Sequence, residues 1–332
     1  MERGLDLFMK YVEIAKAANV SVSNVSKVMA GSSAVHRETA ELVLRIAKEN
    51  NVRPPKYHKN YTSIKIAVLV PEIISSTYSM MATAIMEELR VQGFESFVYP
   101  CGFSNERYFK ILRMIESEQL ADGILTFSRD IYPFDFSLPI VAPSYCDEQD
   151  KFDTVYCDIK SGIGKAVEYL ISIGHKKIGF LSEKNTSRKL KYFMEAAEHA
   201  KLDISPKHIF ISKKRYDESG AEAAEYFMSL KSPPTAIIAA YDEIAIGAIR
   251  TFMSKGFHVP DDISVIGIND VPNAATAIVP LTSLRTFNES VVKKAVERLL
   301  FHIKDPENKS VEQYKFPCEL VIRSSTTPLC RE

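Results

Sequence analysis

The stretch "NVSVSNVSKVMAG", residues 19–31, decides the fold of the N-terminal part of this 332-residue chain. Its apolar residues, among them Val25, Val28 and Met29, recur three or four positions apart, which predicts a short helix with one buried face. The opposite face carries Ser and Asn side chains and a single charge, Lys27. Helix faces that contact only water usually carry charged residues, so this face is suited to a partner other than water.

Two more predicted helices flank this one. The segment "YVEIAKAAN" (11–19) forms the first, which Asn19 can end in the left-handed conformation, and Ser21 or Ser23 can then cap the second. The segment "RETAELVLRIAKENN" (37–51) forms a third amphipathic helix. On it the pattern predicts four buried residues, namely Ala40, Val43, Leu44 and Ala47. Three short helices with a tight turn after the first predict a helix-turn-helix unit, whose second helix can enter the major groove of DNA.

The distribution of charge agrees with that assignment. The chain as a whole has a net charge of zero, but residues 1–63 carry ten Lys or Arg against six Asp or Glu, and the rest carry 32 against 36. A basic head on a mildly acidic body is expected if only the head meets phosphate. Short polar side chains let a helix approach bases and phosphates closely, and Lys27 can reach either. A three-helix bundle that binds protein remains the alternative at this point.

The remaining composition limits the class of protein. No apolar run is long enough to span a membrane, and the N-terminus lacks a signal-peptide pattern. The five cysteines have no CxxC spacing, so they are expected to be reduced thiols, and neither a metal site nor a cofactor is predicted. These features together predict a cytoplasmic protein.

Residues 64–327 alternate between predicted strands and helices. The run "IKIAVLV" (64–70) is almost entirely apolar, as in a parallel strand that is buried on both faces. The alternation restarts near residue 161, which predicts two doubly wound α/β sets with ligand space at the carboxyl ends of their strands. The segment "SGIGKAV" lacks the spacing of a phosphate-binding loop, so Gly162 and Gly164 are predicted to serve helix packing. The sequence contains no recognisable catalytic motif, which argues against an enzyme.

The segment "VEIAKAANVSVSNVSKVMAG" resembles the N-terminal signature of the LacI/GalR transcription regulators, and "YLISIGHKKIGFL" and "GFHVPDDISVIGIND" resemble landmark segments of that family's core. The resemblance implies an α/β fold with an N-terminal three-helix helix-turn-helix head. It also implies a two-lobed, periplasmic-binding-protein-like core of doubly wound parallel sheets. The implied divisions are a head at 10–54, a linker at 55–63 and a core at 64–327, with lobe N at 64–157 and 287–315 and lobe C at 158–286 and 316–327. A native start at Met9, with residues 1–8 outside the head, is implied as well.

The resemblance assigns a DNA-binding role to seven residues of the head. It implies that Val22, Ser23 and Lys27 face bases and that Ser21, Asn24, Ser26 and Thr39 hold phosphates. In the family the linker usually forms a hinge helix with a Leu that enters the minor groove. No Leu occurs in 55–63, where Tyr57 and Tyr61 could instead stack on sugars, or the segment could be a solvated tether.

The resemblance also places an effector in the cleft between the lobes. By position in the family pattern the effector-binding residues are Ser75, Ser76, Tyr78, Ser144, Arg188, Lys189, Tyr241, Asp242, Asn269 and Thr286. Ser144 and Asn269 stand where the family usually has Asp, which makes the cleft less acidic. The cation that remains favours a ligand with its own acceptors: a phosphosugar, a sugar acid or a nucleoside-like ring. A neutral sugar held by Asp242 or Asp270 stays an alternative, as does a structural capping role for those two residues.

These inferences predict a homodimeric, effector-responsive transcription regulator, most simply a repressor, that binds a palindromic operator in double-stranded DNA and performs no chemistry. The effector would shift lobe closure, and lobe closure would reset the spacing of the two heads. Two other interpretations remain. One is an enzyme on the doubly wound body, and the other is a ligand-binding sensor that has lost or weakened DNA binding.

Overall fold

A computed structural model describes residues 2–29, 35–50, 52, 64–127, 136–144, 152–308 and 310–329. The chain divides into two compact units, Met1–Ile64 and Lys65–Glu332. The predictions for the 55–63 linker lie outside the described residues. Among the helices that are described, none is long and apolar enough to cross a membrane.

The first unit contains three helices, α1 (Glu2–Ala17), α2 (Val22–Met29) and α3 (Arg37–Glu49). They share one apolar core, whose buried members include Ile14, Ala18, Val25, Met29, Val43 and Ala47. Asn19 follows α1 with a φ of 53°, as its sequence position predicts. The left-handed conformation of Asn19 turns the chain toward α2. The amide of Val20 donates a hydrogen bond to the carbonyl of Ala15 at 2.9 Å.

Helix α1 begins at Glu2, so residues 2–8 continue the first helix, and the native start at Met9 stays a prediction. One prediction for the head is wrong. Leu44, predicted to be buried, is 43% exposed. Successive helical residues are about 100° apart, so the face that buries Val43 and Ala47 turns Leu44 away from the core.

The second unit contains two lobes, each built on one sheet. The N lobe begins with β1 (Lys65–Val70), α4 (Ser76–Val91), β2 (Glu95–Pro100), α5 (Asn105–Ser117), β3 (Gly123–Thr126), β4 (Ile140–Ala142) and β5 (Asp153–Cys157). The chain then enters the C lobe with α6 (Ile159–Ser172), β6 (Ile178–Glu183), α7 (Ser187–His199), a short 3-10 turn (Pro206–His208), β7 (Ile209–Ser212), α8 (Tyr216–Met228), β8 (Ala236–Ala239), α9 (Asp242–Ser254), β9 (Ser264–Asn269), α10 (Pro272–Thr276) and β10 (Thr282–Arg285). It returns to the N lobe with α11 (Glu289–Lys304) and β11 (Gln313–Phe316) and ends in the C lobe with β12 (Glu319–Val321).

Both sheets are wound in the way the sequence predicts. The N-lobe sheet has the strand order β11-β5-β4-β3-β1-β2, and its paired strands are parallel. The C-lobe sheet has the order β12-β10-β9-β8-β6-β7, in which only the β12–β10 pair is antiparallel. The predicted pair of doubly wound α/β sets is therefore confirmed. Three crossovers, after β5, β10 and β11, join the two lobes.

The two glycines of α6 differ in their surroundings. A Cβ at Gly162 would lie 2.7 Å from Leu284 Cδ2 and 2.8 Å from Cys318 Cβ, so α6 packs closely there, as predicted. A Cβ at Gly164 would meet nothing within 4 Å. The packing role predicted for Gly164 is therefore wrong.

Candidate functional site

The outer face of α2 is a small polar surface with one cation. Ser23, Ser26 and Lys27 are exposed, and Val22 and Asn24 are half-buried. Hydroxyl and amide side chains both donate and accept hydrogen bonds, and a lysine donates only. The face can therefore pair with base edges and with phosphate oxygens.

Ser21, and not Ser23, caps α2. Its Oγ accepts a hydrogen bond from the amide of Asn24 at 3.1 Å. That bond satisfies one of the free amides at the start of the helix, where the helix dipole favours an anion such as phosphate. Thr39 lies half-buried in the first turn of α3. Six of the seven predicted DNA-binding residues thus lie on α2 or at its cap, and Thr39 lies on the neighbouring helix.

A cleft between the two lobes encloses about 1010 Å³ of space, solvent at its mouth included. Its lining includes eight of the ten predicted effector residues, namely Ser75, Tyr78, Ser144, Arg188, Lys189, Tyr241, Asn269 and Thr286. These residues lie at or after the carboxyl ends of the strands, where ligands bind in doubly wound sheets. Ser76 and Asp242 are not part of the lining.

The cleft also contains residues that the sequence reasoning missed. Tyr156, Cys157 and Asp158 enter it from β5 and the crossover that follows, and Asn185 and Tyr192 enter it after β6. Strand β5 is short and mixes polar with apolar residues, so its pattern is too weak to predict a strand. A polar residue directly after a strand is the signal that could have identified Asp158.

Aromatic rings form part of the wall of the cleft. The rings of Tyr78 and Phe127 meet edge to face, with centroids 6.1 Å apart and planes at 65°. The ammonium of Lys189 lies 4.3 Å from the centre of the Tyr241 ring. Such rings offer apolar faces to a flat or cyclic ligand while their polar ends remain able to bond.

Asn269 connects several of the cleft residues. Its Oδ1 accepts hydrogen bonds from Thr286 Oγ1 at 3.0 Å and from Lys189 Nζ at 3.4 Å. Its Nδ2 donates to Thr77 Oγ1 at 2.8 Å. Thr77 belongs to the N lobe and Asn269 to the C lobe, so this last bond crosses between lobes. The ammonium of Lys189 also donates to the carbonyl of Ala240 at 2.7 Å, so the cation is buried and already held by the protein.

Two buried polar atoms of the cleft lack a partner within the described part of the chain. They are Oγ of Ser144, in the N lobe, and Nδ2 of Asn185, in the C lobe. A buried polar group without a hydrogen bond costs about 1–3 kcal/mol. A polar ligand that bonds to either atom would recover part of that cost, so both atoms point to a ligand.

Asp158 brings a carboxylate into a cleft that the sequence predicts to be poor in acid. Its carboxylate accepts hydrogen bonds from the amide and the hydroxyl of Ser161 at 3.1 and 2.7 Å, and Lys315 Nζ lies at 3.1 Å. Burial raises the pKa of Asp158, but the bonds from Ser161 and the charge of Lys315 outweigh burial, so the net pKa is lowered. Asp158 is therefore ionised at neutral pH and largely satisfied by the protein.

Asp242 lies within the C lobe and outside the cleft. Its fully buried carboxylate accepts hydrogen bonds from Ser283 Oγ at 2.5 Å and from the amide of Val271 at 2.8 Å. Burial raises the pKa of Asp242 to about 7, against the opposing effect of these two hydrogen bonds. Asp242 is the first residue of α9 and does not cap that helix, so the prediction of a cap is wrong.

Asp270 and Ser76 also have structural partners. The carboxylate of Asp270 pairs with Arg285 and Arg323, each at 2.7 Å, and the prediction that it caps a helix is wrong too. The backbone amide of Ser76 donates to Glu243 Oε1 of the C lobe at 3.1 Å. Neither Asp242 nor Asp270 reaches the cleft, so neither is positioned to hold a neutral sugar there.

A charge cluster joins the two lobes. The Arg215 guanidinium, from the C lobe, binds both carboxylate oxygens of Glu72, from the N lobe, at 2.7 and 2.9 Å. Its Nε donates to the buried Glu183 at 3.1 Å, and the Tyr216 hydroxyl also donates to Glu72. Burial raises the pKa of Glu183 although the charge of Arg215 opposes it. No local pattern indicates this cluster, because 143 positions separate Arg215 from Glu72.

Two family models match this chain. Residues 11–55 match the model described as bacterial regulatory proteins, lacI family. Residues 167–326 match the model of a periplasmic binding protein-like domain. The first match covers described parts of all three helices of the head. The second covers most of the C lobe and also α11 and β11, where the chain returns to the N lobe.

Similar proteins extend the match over nearly the whole chain. The HTH-type transcriptional repressor PurR of Photobacterium profundum is 30% identical over 96% of this chain and 98% of its own length. A probable HTH-type transcriptional repressor, ExuR of Bacillus subtilis (strain 168), is 29% identical over 96% and 98%. The solved lac repressor dimer bound to operator and the anti-inducer ONPF has a TM-score of 0.71 at 22% identity, covering 95% of this chain and 98% of that one. A LacI family regulator from Enterococcus faecium with bound ribose has a TM-score of 0.69 at 22% identity, over 80% and 100%.

Proposed function

Because this chain belongs to the LacI family of bacterial regulatory proteins and is a DNA-binding transcription regulator, we propose that it represses its target genes from a palindromic operator. In this proposal the protein acts as a homodimer, since an inverted repeat requires two heads related by two-fold symmetry. A small molecule in the cleft between the lobes controls the affinity for the operator. Repression as the sign of regulation is supported by the names of two similar proteins, the repressor PurR and the probable repressor ExuR.

The observation that carries the proposal is that one chain combines a polar helix face suited to DNA with a cleft in which two buried polar atoms have no partner among the described residues. Val22, Ser23 and Lys27 of α2 are proposed to read bases. Ser21, Asn24, Ser26 and Thr39 are proposed to hold the backbone phosphates. Lys27 supplies the positive charge on this face, and Ser21 keeps the helix N-terminus ordered through its bond to the Asn24 amide.

Binding to DNA is tested by selecting bound fragments from a library of inverted repeats and measuring affinity at several salt concentrations. If Lys27 reads a base, we expect the Lys27→Ala variant to lose about 1–3 kcal/mol of binding free energy and its sequence preference at that base pair. If Lys27 contacts only phosphate, the loss of binding free energy is the same on every fragment. The slope of log affinity against log salt concentration then becomes shallower by about one. Lys207→Ala, an exposed lysine of the core, is the matched control. Failure of the unmodified protein to select any fragment would favour the sensor that has lost DNA binding.

For the effector we propose a sugar or sugar derivative that carries its own hydrogen-bond acceptor, such as a sugar acid, a phosphosugar or a nucleoside. Three features support this class. The donor Nδ2 of Asn185 lacks a partner among the described residues, Arg188 brings positive charge to the lining, and the carboxylate of Asp158 is already bonded. The aromatic wall suits a ring. A relative of the same fold is solved with bound ribose, which supports a ring of this size.

The effector class is tested by thermal unfolding with matched compounds: glucose, glucuronate, glucose 6-phosphate and adenosine. A ligand present at 100 times its dissociation constant stabilises the protein by about 2.7 kcal/mol. We expect the best compound to carry an acceptor group and to lose its effect in the Asn185→Ala and Ser144→Ala variants. Ser187→Ala, an exposed neighbour outside the cleft lining, serves as control. If glucose stabilises the protein as much as the other three compounds do, and both cleft variants keep that stabilisation, the proposed class is contradicted.

A further inference from the structure

Two cysteine side chains meet where the lobes join. Cys157 is the last residue of β5, in the N lobe, and Cys318 directly precedes β12, in the C lobe. Cys157 pairs in register with Phe316 of β11, which brings Cys318, two residues further on, to the same point. The Cys318 thiol lies close enough to the Cys157 sulfur to lower the pKa of Cys157 as a hydrogen-bond donor would. The two thiols thus lie side by side on two different crossovers.

The surroundings make the two thiols unequal. Asn288 Nδ2, from the remaining crossover, donates to Cys157 Sγ at 3.7 Å, and Cys157 is part of the cleft lining. The hydrogen bond from Cys318 lowers the pKa of Cys157, against the effect of burial. The same hydrogen bond, with burial, raises the pKa of Cys318. Since the thiolate is the reactive form, the lowered pKa favours Cys157 as the nucleophile of the pair, and Cys157 lines the cleft that a small molecule would enter.

We propose that Cys157 and Cys318 are an oxidation site at which a peroxide entering the cleft leads to a disulfide between the two lobes. The Cys157 thiolate attacks one oxygen of hydrogen peroxide and breaks the O–O bond, which gives a sulfenic acid and hydroxide. The Cys318 sulfur then attacks the Cys157 sulfur, and the S–S bond forms as the hydroxyl group leaves with the Cys318 proton as water. The two sulfurs are oxidised by two electrons in total and the peroxide is reduced.

The consequence for regulation rests on the proposed function. A bond between Cys157 and Cys318 would tie the crossover after β5 to the one after β11, so the lobes could no longer change their angle freely. Oxidised protein would therefore respond less to a ligand in the cleft. Formation of the disulfide itself depends only on the two side chains, so its failure and a failure of the proposed function are distinguishable.

The test is peptide mapping of the full chain after treatment with hydrogen peroxide, without reductant. Cys146 and Cys330, which lie outside the described residues, are replaced by Ser to remove other pairings. Tryptic cleavage places Cys157 in the peptide 152–160 and Cys318 in the peptide 316–323. We expect these two peptides to appear linked, with a mass about 2 Da below their sum, the loss of two hydrogen atoms. Reduction should restore the separate peptides.

Single variants give the order of the steps. Without its resolving partner, the Cys318→Ser variant should accumulate sulfenic and sulfinic acid on Cys157, and the Cys157→Ser variant should leave Cys318 unmodified. Cys101→Ser is the control, because burial raises the pKa of Cys101 to about 12 and that thiol lies within the N lobe. Alanine variants at both positions repeat the test if a serine variant fails to fold. Oxidation of Cys318 in the absence of Cys157, or no linked peptide from the folded protein, would overturn the proposal.

Discussion

Replacement of Asp242 by Asn tests how a buried acid limits the stability of the C lobe. The folded protein holds the pKa of Asp242 at about 7, whereas the ordinary value is 3.8. Because the folded state binds this proton more tightly than the unfolded state does, stability is greatest below the unfolded pKa. It is lost progressively as the pH rises toward the folded pKa. Asn has the same shape, carries no charge and can still accept a hydrogen bond from Ser283 or Val271.

The size of the effect follows from the two pKa values of the acid. A separation of about three pKa units corresponds to about 4 kcal/mol over the whole titration, at about 1.4 kcal/mol per unit. Between pH 5 and pH 8 the wild-type protein should therefore lose about 2–3 kcal/mol of unfolding free energy relative to Asp242→Asn. Groups that do not interact with Asp242 titrate alike in both proteins and cancel in the difference.

The assay is urea unfolding of both proteins at pH 5, 6, 7 and 8, followed by circular dichroism. We expect the difference in unfolding free energy to shift steadily in favour of the variant and to become constant above pH 8. Asp261→Asn, at an exposed acid of the same lobe, is the control for the substitution itself. A difference that stays flat over this range, or one that moves toward wild type as the pH rises, would show that the folded pKa of Asp242 is not raised.

Three further substitutions follow from local geometry. Arg215→Met removes the bidentate bond to Glu72 and leaves the buried carboxylate of Glu183 without this cation. We expect urea unfolding to show that the free energy of unfolding falls by about 2 kcal/mol. Arg250→Met, which breaks only an exposed pair, should cost less than about 1 kcal/mol. Ser21→Ala removes the cap of α2 at a cost of about 1 kcal/mol, so the Asn24 amide should exchange with deuterium several times faster, and Ser23→Ala should leave it unchanged. Gly162→Ala should destabilise by about 1–3 kcal/mol in thermal unfolding. Gly164→Ala, which meets no neighbour, should stabilise by about 0.5–1 kcal/mol, and equal effects would contradict the packing argument.

The predictions made from sequence are most accurate where a property belongs to a few neighbouring residues. The left-handed residue Asn19 and the buried edge of α2 are both local, because a helix period and a short polar side chain decide them. The apolar run 64–70 is also a local property, and residues 66–70 of β1 are buried as predicted. Leu44 fails because a continuous apolar stretch does not say which of two adjacent faces meets the core.

The parts that sequence cannot supply depend on pairings between distant segments. Asp242 and Asp270 follow strands, so their positions suggest a cleft, but their carboxylates turn toward Ser283 and Arg323, 41 and 53 positions away along the sequence. Asn185 is one of several polar residues after β6, and only the packed structure leaves its Nδ2 without a partner in the described chain. The position of a residue at a strand end predicts proximity to the cleft, whereas the direction of its side chain follows from its neighbours in space.

The bonds between the lobes limit how a ligand can change their angle. Asn269 already uses its Nδ2 to hold Thr77 of the N lobe, so a ligand acceptor that takes this donor would break one bond between lobes, at a cost of about 1 kcal/mol. Ser144 and Asn185 stand on opposite lobes, and among the described residues neither Ser144 Oγ nor Asn185 Nδ2 has a hydrogen bond that a ligand must replace. A ligand that spans these two atoms adds contacts between lobes without losing any. In the proposed function, the free energy of binding such a ligand would favour closed lobes, and a coupling of the usual 1–3 kcal/mol would require roughly one to three such hydrogen bonds.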